Sequence, residues 1–223
     1  VGGSLGMPGA PVLAALGALR TGAGIVSRVL KRHWIADEFL SECMREYLDG
    51  DEAYFIAKDA ERVLAIAEGF DALVLGPGIG QATATRDFVA AVCDGLRGTE
   101  KTVVIDADAL NALAMVSNSL IGVAAIVTPH PGEASRLLGC STEAVQADRF
   151  SAARNLWERL GVVSVLKGAG TLVHGEEGGR LIPLGTPYMA TPGSGDVLAG
   201  IAAVCCLRTP SLFDAASLAV WIH

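Results

Sequence analysis

Short apolar runs alternate along the chain with longer stretches whose apolar positions recur at helical spacing. The apolar runs at 25–29, 72–75, 102–105, 124–127 and 162–166 predict strands. Helical spacing marks 8–20, opened by Pro8 and closed near Gly22 and Gly24, and 57–68, stopped by Gly69. It also marks 37–48, 85–96 and 145–160, the last with Ala153, Leu156, Trp157 and Leu160 on one face. Residues 171–174 and 180–183 read as a hairpin turned through 176–179, and 197–207 as an apolar helix. A strand-then-helix rhythm predicts an α/β fold with a mostly parallel sheet sandwiched between helix layers. Glycine-rich and polar motifs gather just past the strand ends, where open α/β sheets bind ligands.

Composition sharpens this picture. The 223 residues are 51% apolar but only 5% aromatic, with a mean hydropathy of +0.44. Ala, Val, Leu and Gly must therefore build the core, as in parallel sheets covered on both faces. The length suits a single domain over 1–223. A formal charge of -7, with no Lys/Arg run, argues against nucleic-acid binding. Cys43, Cys93, Cys140, Cys205 and Cys206 show no metal-ligand spacing and read as reduced thiols of a cytoplasmic protein. The run at 197–207 is too short to span a bilayer, and no secretory signal is visible, so no membrane role is expected. Both ends read as cut, with the first strand and the C-terminal helices expected to be truncated.

The segment 191–200 is the most informative for chemistry. Gly193, Ser194 and Gly195 run into Asp196 and then directly into the apolar helix. Unpaired N–H groups and the positive end of the dipole make a helix start an anion site. An Asp placed there is poised to take a proton from a hydroxyl during phosphoryl transfer, or simply favours the first helical turn.

The remaining motifs are weaker one by one. Gly76-Pro77-Gly78-Ile79-Gly80 allows close approach at a strand end, or is a plain turn. Asp108 suits a helix cap, while Asp106 could hold a metal or a substrate hydroxyl. Pro129 and Pro131 stiffen the loop that carries His130, and Glu133 could act through a metal-bound water or favour a helix start. Lys167-Gly168-Ala169-Gly170-Thr171 joins two strands with a lysine able to neutralise phosphate, or forms a hairpin turn. No Walker A motif or Rossmann fingerprint is present.

Taken in chain order, the motifs resemble the ADP-dependent NAD(P)H-hydrate dehydratase family, which has a ribokinase-like, three-layer fold. The matching residues begin with Gly2-Gly3-Ser4, Met7-Pro8-Gly9-Ala10 and Ala18-Leu19-Arg20-Thr21-Gly22-Ala23-Gly24. They continue through Gly76-Pro77-Gly78, Asp106-Ala107-Asp108-Ala109-Leu110 and Thr128-Pro129-His130-Pro131-Gly132-Glu133. Leu166-Lys167-Gly168 with Thr171, and Gly193-Ser194-Gly195-Asp196 with Gly200, complete the series across nearly the whole chain. Met7-Pro8-Gly9-Ala10 and the His130 loop separate this family from other ribokinase-like kinases. Pro192 departs from the pattern, standing where the family usually has glycine.

The resemblance implies repair of hydrated NADH or NADPH. ADP, or ATP, would phosphorylate the added ring hydroxyl, and phosphate would then leave. It implies Asp196 as catalytic base and Gly193, Ser194 and Gly195 as the anion hole. Lys167, Gly168, Ala169, Gly170, Thr171 and Gly195 would contact the adenine nucleotide. Ala10, Gly78, His130 and Asp196 would contact the hydrated cofactor. Mg²⁺ follows from nucleotide chemistry, with no ligand set visible in the residues. A homo-oligomer and a fused or separate NAD(P)H-hydrate epimerase are implied as well. Two alternatives stand beside this reading: a ribokinase-like kinase of thiazole or pyrimidine alcohols, and a catalytically silent nucleotide-binding module.

Overall fold

The computed structural model describes residues 1–4, 6–31, 42–50, 52–116 and 119–223. A six-stranded sheet carries β3 (Ala72–Leu75), β4 (Thr102–Ile105), β5 (Ala124–Val127), β6 (Val163–Leu166), β7 (Thr171–Gly175) and β8 (Gly178–Ile182) in that spatial order. Strands β3 to β6 are parallel, and β7 and β8 complete the sheet antiparallel. Alternation along β4 sends Val103 and Ile105 to one core and Val104 to another. The first core holds Val63 of α2 (Asp59–Ala67), Phe88 of α3 (Thr83–Leu96), Leu110 of α4 (Asp108–Val116), Leu137 of α5 (Pro131–Leu138) and Leu156 of α7 (Arg149–Leu160). The second holds Leu198 and Ala199 of α8 (Ser194–Cys205) and Ala216 of α9 (Leu212–Ile222). Burial on both faces explains why the central strands are plain apolar runs.

A smaller parallel pair, β1 (Ser27–Lys31) and β2 (Met44–Leu48), lies beyond β3. Val1 and Gly2 run between the two sheets: the Val1 amine donates to Val74 O (2.7 Å) and Gly2 N to Val29 O (3.3 Å). An apolar slot lined by Ala14, Ala15, Val26, Val63, Ile66 and Leu73 continues beside them.

α1 (Ala10–Thr21) packs along α8 with no side chain between them at two points. A Cβ on Gly200 would overlap the Ala14 carbonyl, and one on Gly17 would overlap the Val197 carbonyl. Leu13 lies beside Gly193, Gly17 beside Val197 and Ala18 beside Gly200, so the two helices run in the same direction. Their N-termini, and the positive ends of both dipoles, therefore face the same side of the molecule.

Two expected elements differ. The helix expected over 37–48 is not formed at its end: Met44–Leu48 is β2, paired in register with Ser27–Lys31. Strand pairing there overrides an amphipathic helical pattern. The part of that expectation over 37–41 lies outside the described residues. The helix expected over 145–160 is two helices, α6 (Thr142–Ala147) and α7. Asp148, at φ -141° and ψ 84°, breaks the run and caps the second helix by accepting from Ser151 N at 3.0 Å.

Candidate active site

The loop before α8 leaves backbone donors at the helix start without partners among the described residues. Gly193 is the N-cap at φ 90°, a left-handed conformation that favours glycine, and a Cβ there would overlap the Leu13 side chain. Ser194 N donates to Thr191 O (3.2 Å). No side chain caps the helix, and the amides of Gly195 and Asp196 have no acceptor among the described residues. These are the donors that an incoming anion would take. Pro192 is exposed and precedes the helix; its missing N–H takes one donor from the loop but neither of these two amides.

Asp196 stands in the first turn, half-buried. Burial pushes its carboxyl up to about 6, Asp106 adds to the rise, and Lys167 opposes it. Lys167 does not extend toward solvent. Its Nζ lies 2.7 Å from Asp106 Oδ1 and 3.9 Å from Glu133 Oε2. Burial alone would lower the lysine, but Asp106 and Glu133 outweigh it and hold the ammonium above its ordinary value. Burial pushes Glu133 up to about 7 against the pull of Lys167.

His130 is fixed by more than its neighbouring prolines. It is the N-cap of α5, with Nδ1 accepting from Gly132 N (3.0 Å) and Glu133 N (3.4 Å). Glu133 Oε2 accepts from His130 N (2.8 Å), completing a capping box. The cap directs Nε2 to within 3.4 Å of Glu133 Oε1 and leaves the imidazole half exposed. Burial lowers its pKa, as does the Lys167 charge. A neutral ring with Nδ1 as acceptor fits this geometry.

The other expected residues fall into linked pairs. Gly78 packs on α1, where a Cβ would come 2.8 Å from Met7 O and 3.1 Å from the Ala10 Cβ. Asp108 opens α4, but its carboxylate reaches across the sheet edge, accepting from Gly80 N and Gln81 Nε2, each at 3.0 Å. It therefore tethers the 76–80 loop, which the reading of it as a helix cap did not foresee. Thr171 Oγ1 donates to Gly168 O (3.1 Å), closing the 167–171 loop.

Two residues here carry no motif. Arg149 donates to Leu166 O (3.3 Å), Lys167 O (3.4 Å) and Gly170 O (3.2 Å), so one guanidinium holds the whole 167–170 loop. Its signal in the sequence is the Asp148/Ser151 cap, which places Arg149 at a helix start rather than mid-helix. His223 Nε2 lies 3.1 Å from Ser194 Oγ, bringing the end of α9 onto the start of α8. Nothing near His223 in sequence announces that contact.

The family model for NAD(P)H-hydrate dehydratase matches residues 1–223. The bifunctional NAD(P)H-hydrate repair enzyme of Vibrio cholerae is 40% identical over 230 residues, covering 100% of this chain and 42% of that protein. The chain thus spans less than half the length of the curated relatives that it matches. The ADP/ATP-dependent NAD(P)H-hydrate dehydratase of Bacillus subtilis, co-crystallised with ATP/Mg²⁺, superposes with a TM-score of 0.79 at 27% identity, covering 100% of this chain and 76% of that one. A ribokinase-like superfamily protein of Enterococcus faecalis shares the fold, with a TM-score of 0.84 at 23% identity over 100% of this chain and 75% of that one. The motif order, the three-layer sheet and the match along its full length agree, and the chain belongs to the NAD(P)H-hydrate dehydratase family.

Proposed function

We propose that this chain restores hydrated NADH or NADPH by phosphorylation and elimination. The ring hydroxyl attacks the terminal phosphorus of ADP, or ATP, and the shortened nucleotide leaves. The C–O bond then breaks, releasing phosphate and regenerating the ring double bond with loss of a ring proton. Phosphate leaves far more readily than hydroxide, which is what the first step achieves. The observation that carries the reading is Asp196, a carboxyl pushed up to about 6, beside uncapped helix amides. The amides of Gly195 and Asp196 would receive the transferring phosphoryl group, and Asp196 would take the hydroxyl proton.

The main chain of the 167–171 loop would receive the adenine nucleotide. Ala10, Gly78 and His130 would line the hydrated ring's side. Among the described residues, no three His, Cys, Asp or Glu side chains converge as a metal site. Mg²⁺ would enter with the nucleotide phosphates and would supply charge neutralisation there. A homo-oligomer in the cytoplasm, working with an epimerase for the other hydrate epimer, completes the proposal. The bifunctional name of the relatives supports the epimerase, and no helix among the described residues is long and apolar enough to cross a membrane.

The test is direct. Protein mixed with hydrated NADH and ADP should restore reduced-nicotinamide absorbance and release phosphate and AMP in equal amounts. AMP release with a stable phosphorylated product would instead identify an alcohol kinase, and no turnover a silent nucleotide module.

Arg149 offers a second check on the nucleotide loop. Arg149→Met removes a guanidinium that holds three carbonyls, where hydrogen bonds to charged groups contribute roughly 1.5–3 kcal/mol. ADP affinity by calorimetry should fall about tenfold or more. Unchanged affinity in a folded variant would place the nucleotide elsewhere.

A further inference from the structure

Asp106 and Lys167 pair across the C-terminal edge of the sheet, 1% and 19% exposed. Main-chain bonds fix both. Asp106 N donates to Leu75 O (3.1 Å), and Lys167 N donates to Pro129 O (2.9 Å), so the ends of β3, β4, β5 and β6 are joined through these residues. Ala107, directly after Asp106, sits at φ 53°, the one non-glycine residue with positive φ among those described. Such strain persists only where the surroundings over-determine it.

The pair lies against the first turn of α8. A Cβ on Gly195 would come 3.0 Å from Lys167 Nζ and 3.5 Å from Asp106 Oδ2. A lysine at a helix N-terminus opposes the dipole, and here the flanking carboxylates compensate. The groups whose charge Asp196 feels are Asp106, Lys167 and Asp108. Glu133, His130 and His223 stand behind them, coupled through Lys167.

We propose that the Asp106–Lys167 pair is the positioning device for Asp196: it seats the first turn of α8 from beneath and sets the charge balance at the reacting carboxylate. The proposal rests on Asp196 being the base. It gives the Lys167 side chain a task other than contact with the nucleotide, while the loop main chain keeps that contact.

The experiment follows turnover against pH, at saturating ADP and hydrated NADH, in the full chain. Three variants are compared with the parent: Lys167→Met, Asp106→Asn and the two combined. Turnover of the parent falls on the acid side as Asp196 gains a proton. Removing the cation makes that proton easier to gain, so in Lys167→Met the acid limb moves to higher pH. Removing the anion does the reverse, and in Asp106→Asn the limb moves lower. Each limb should move by about one pH unit, the low end for a neighbouring charge. Lys167→Met leaves a buried carboxylate without its cation, so thermal unfolding is followed in parallel. The combined variant removes both charges and should bring the limb back toward that of the parent. If Lys167→Met does not fold, the limbs of Asp106→Asn and the combined variant decide.

A merely structural role would lower stability and turnover without moving the limb in opposite directions. An unmoved limb, shifts of the same sign, or a loss confined to ADP affinity each overturn the proposal. Asp196→Asn separates the two levels. Full activity in that variant refutes the base itself, whereas an inactive Asp196→Asn with unmoved limbs elsewhere refutes only the role of the pair.

Discussion

With Asp196 as the proposed base, Asp196→Asn should lower turnover by about 10²- to 10⁴-fold, the usual contribution of a general base, while ADP and the hydrated cofactor should still bind. Asparagine keeps the size and hydrogen-bonding capacity of the residue but cannot take the hydroxyl proton. The site makes this carboxylate a stronger base than an ordinary one, because burial, then Asp106, push it up to about 6. It is still mostly ionised at neutral pH. Turnover of the parent should therefore fall as pH drops through about 6, where the carboxyl gains the proton that it must instead accept from substrate. AMP release and recovery of absorbance should fall together, since elimination requires prior phosphorylation. Normal AMP release without cofactor recovery would move Asp196 to the elimination step. Survival of both signals would refute its role.

Gly76→Ala costs about 3 kcal/mol or more of folding stability, the sum of backbone strain and overpacking. Gly76 sits at φ 126°, and a Cβ there would overlap the Asp106 carbonyl and come 2.8 Å from the Ala109 Cβ. Its amide donates to Val1 O and its carbonyl accepts from Ile79 N, so the residue cannot turn away. Relief requires parting the ends of β3 and β4, which carry the loop that holds Asp106. Denaturant unfolding measures the loss, and a change below about 0.5 kcal/mol, the range of ordinary surface substitutions, contradicts it.

The central strands were legible because parallel strands buried on both faces leave short apolar runs closed by polar or turn-forming residues. Strands β3, β4 and β5 fall where those runs do. Strand β2 was not legible, since its identity comes from pairing with β1 and its own residues suit a helix as well. The His130 cap could have been read from its glutamate three residues on, the spacing of a capping box, although histidine is an uncommon cap. The Lys167–Asp106 pair could not, because its partners are 61 residues apart and meet only once β4 and β6 lie in one sheet. The lysine of a glycine-rich loop reads as a phosphate contact, and only coordinates show it turned inward.

The seam between α1 and α8 has a consequence for how this chain can change in length. Each residue inserted into or deleted from a helix turns everything beyond it by about 100°. Between Ala10 and Gly17 such an event would rotate the glycine out of the seam and drive a side chain into the Val197 carbonyl. The same holds between Ser194 and Gly200. Drift in these two segments is therefore confined to exchanges of one residue for another. The spacing from helix start to glycine acts as a fixed ruler, which keeps the starts of the two helices level with each other.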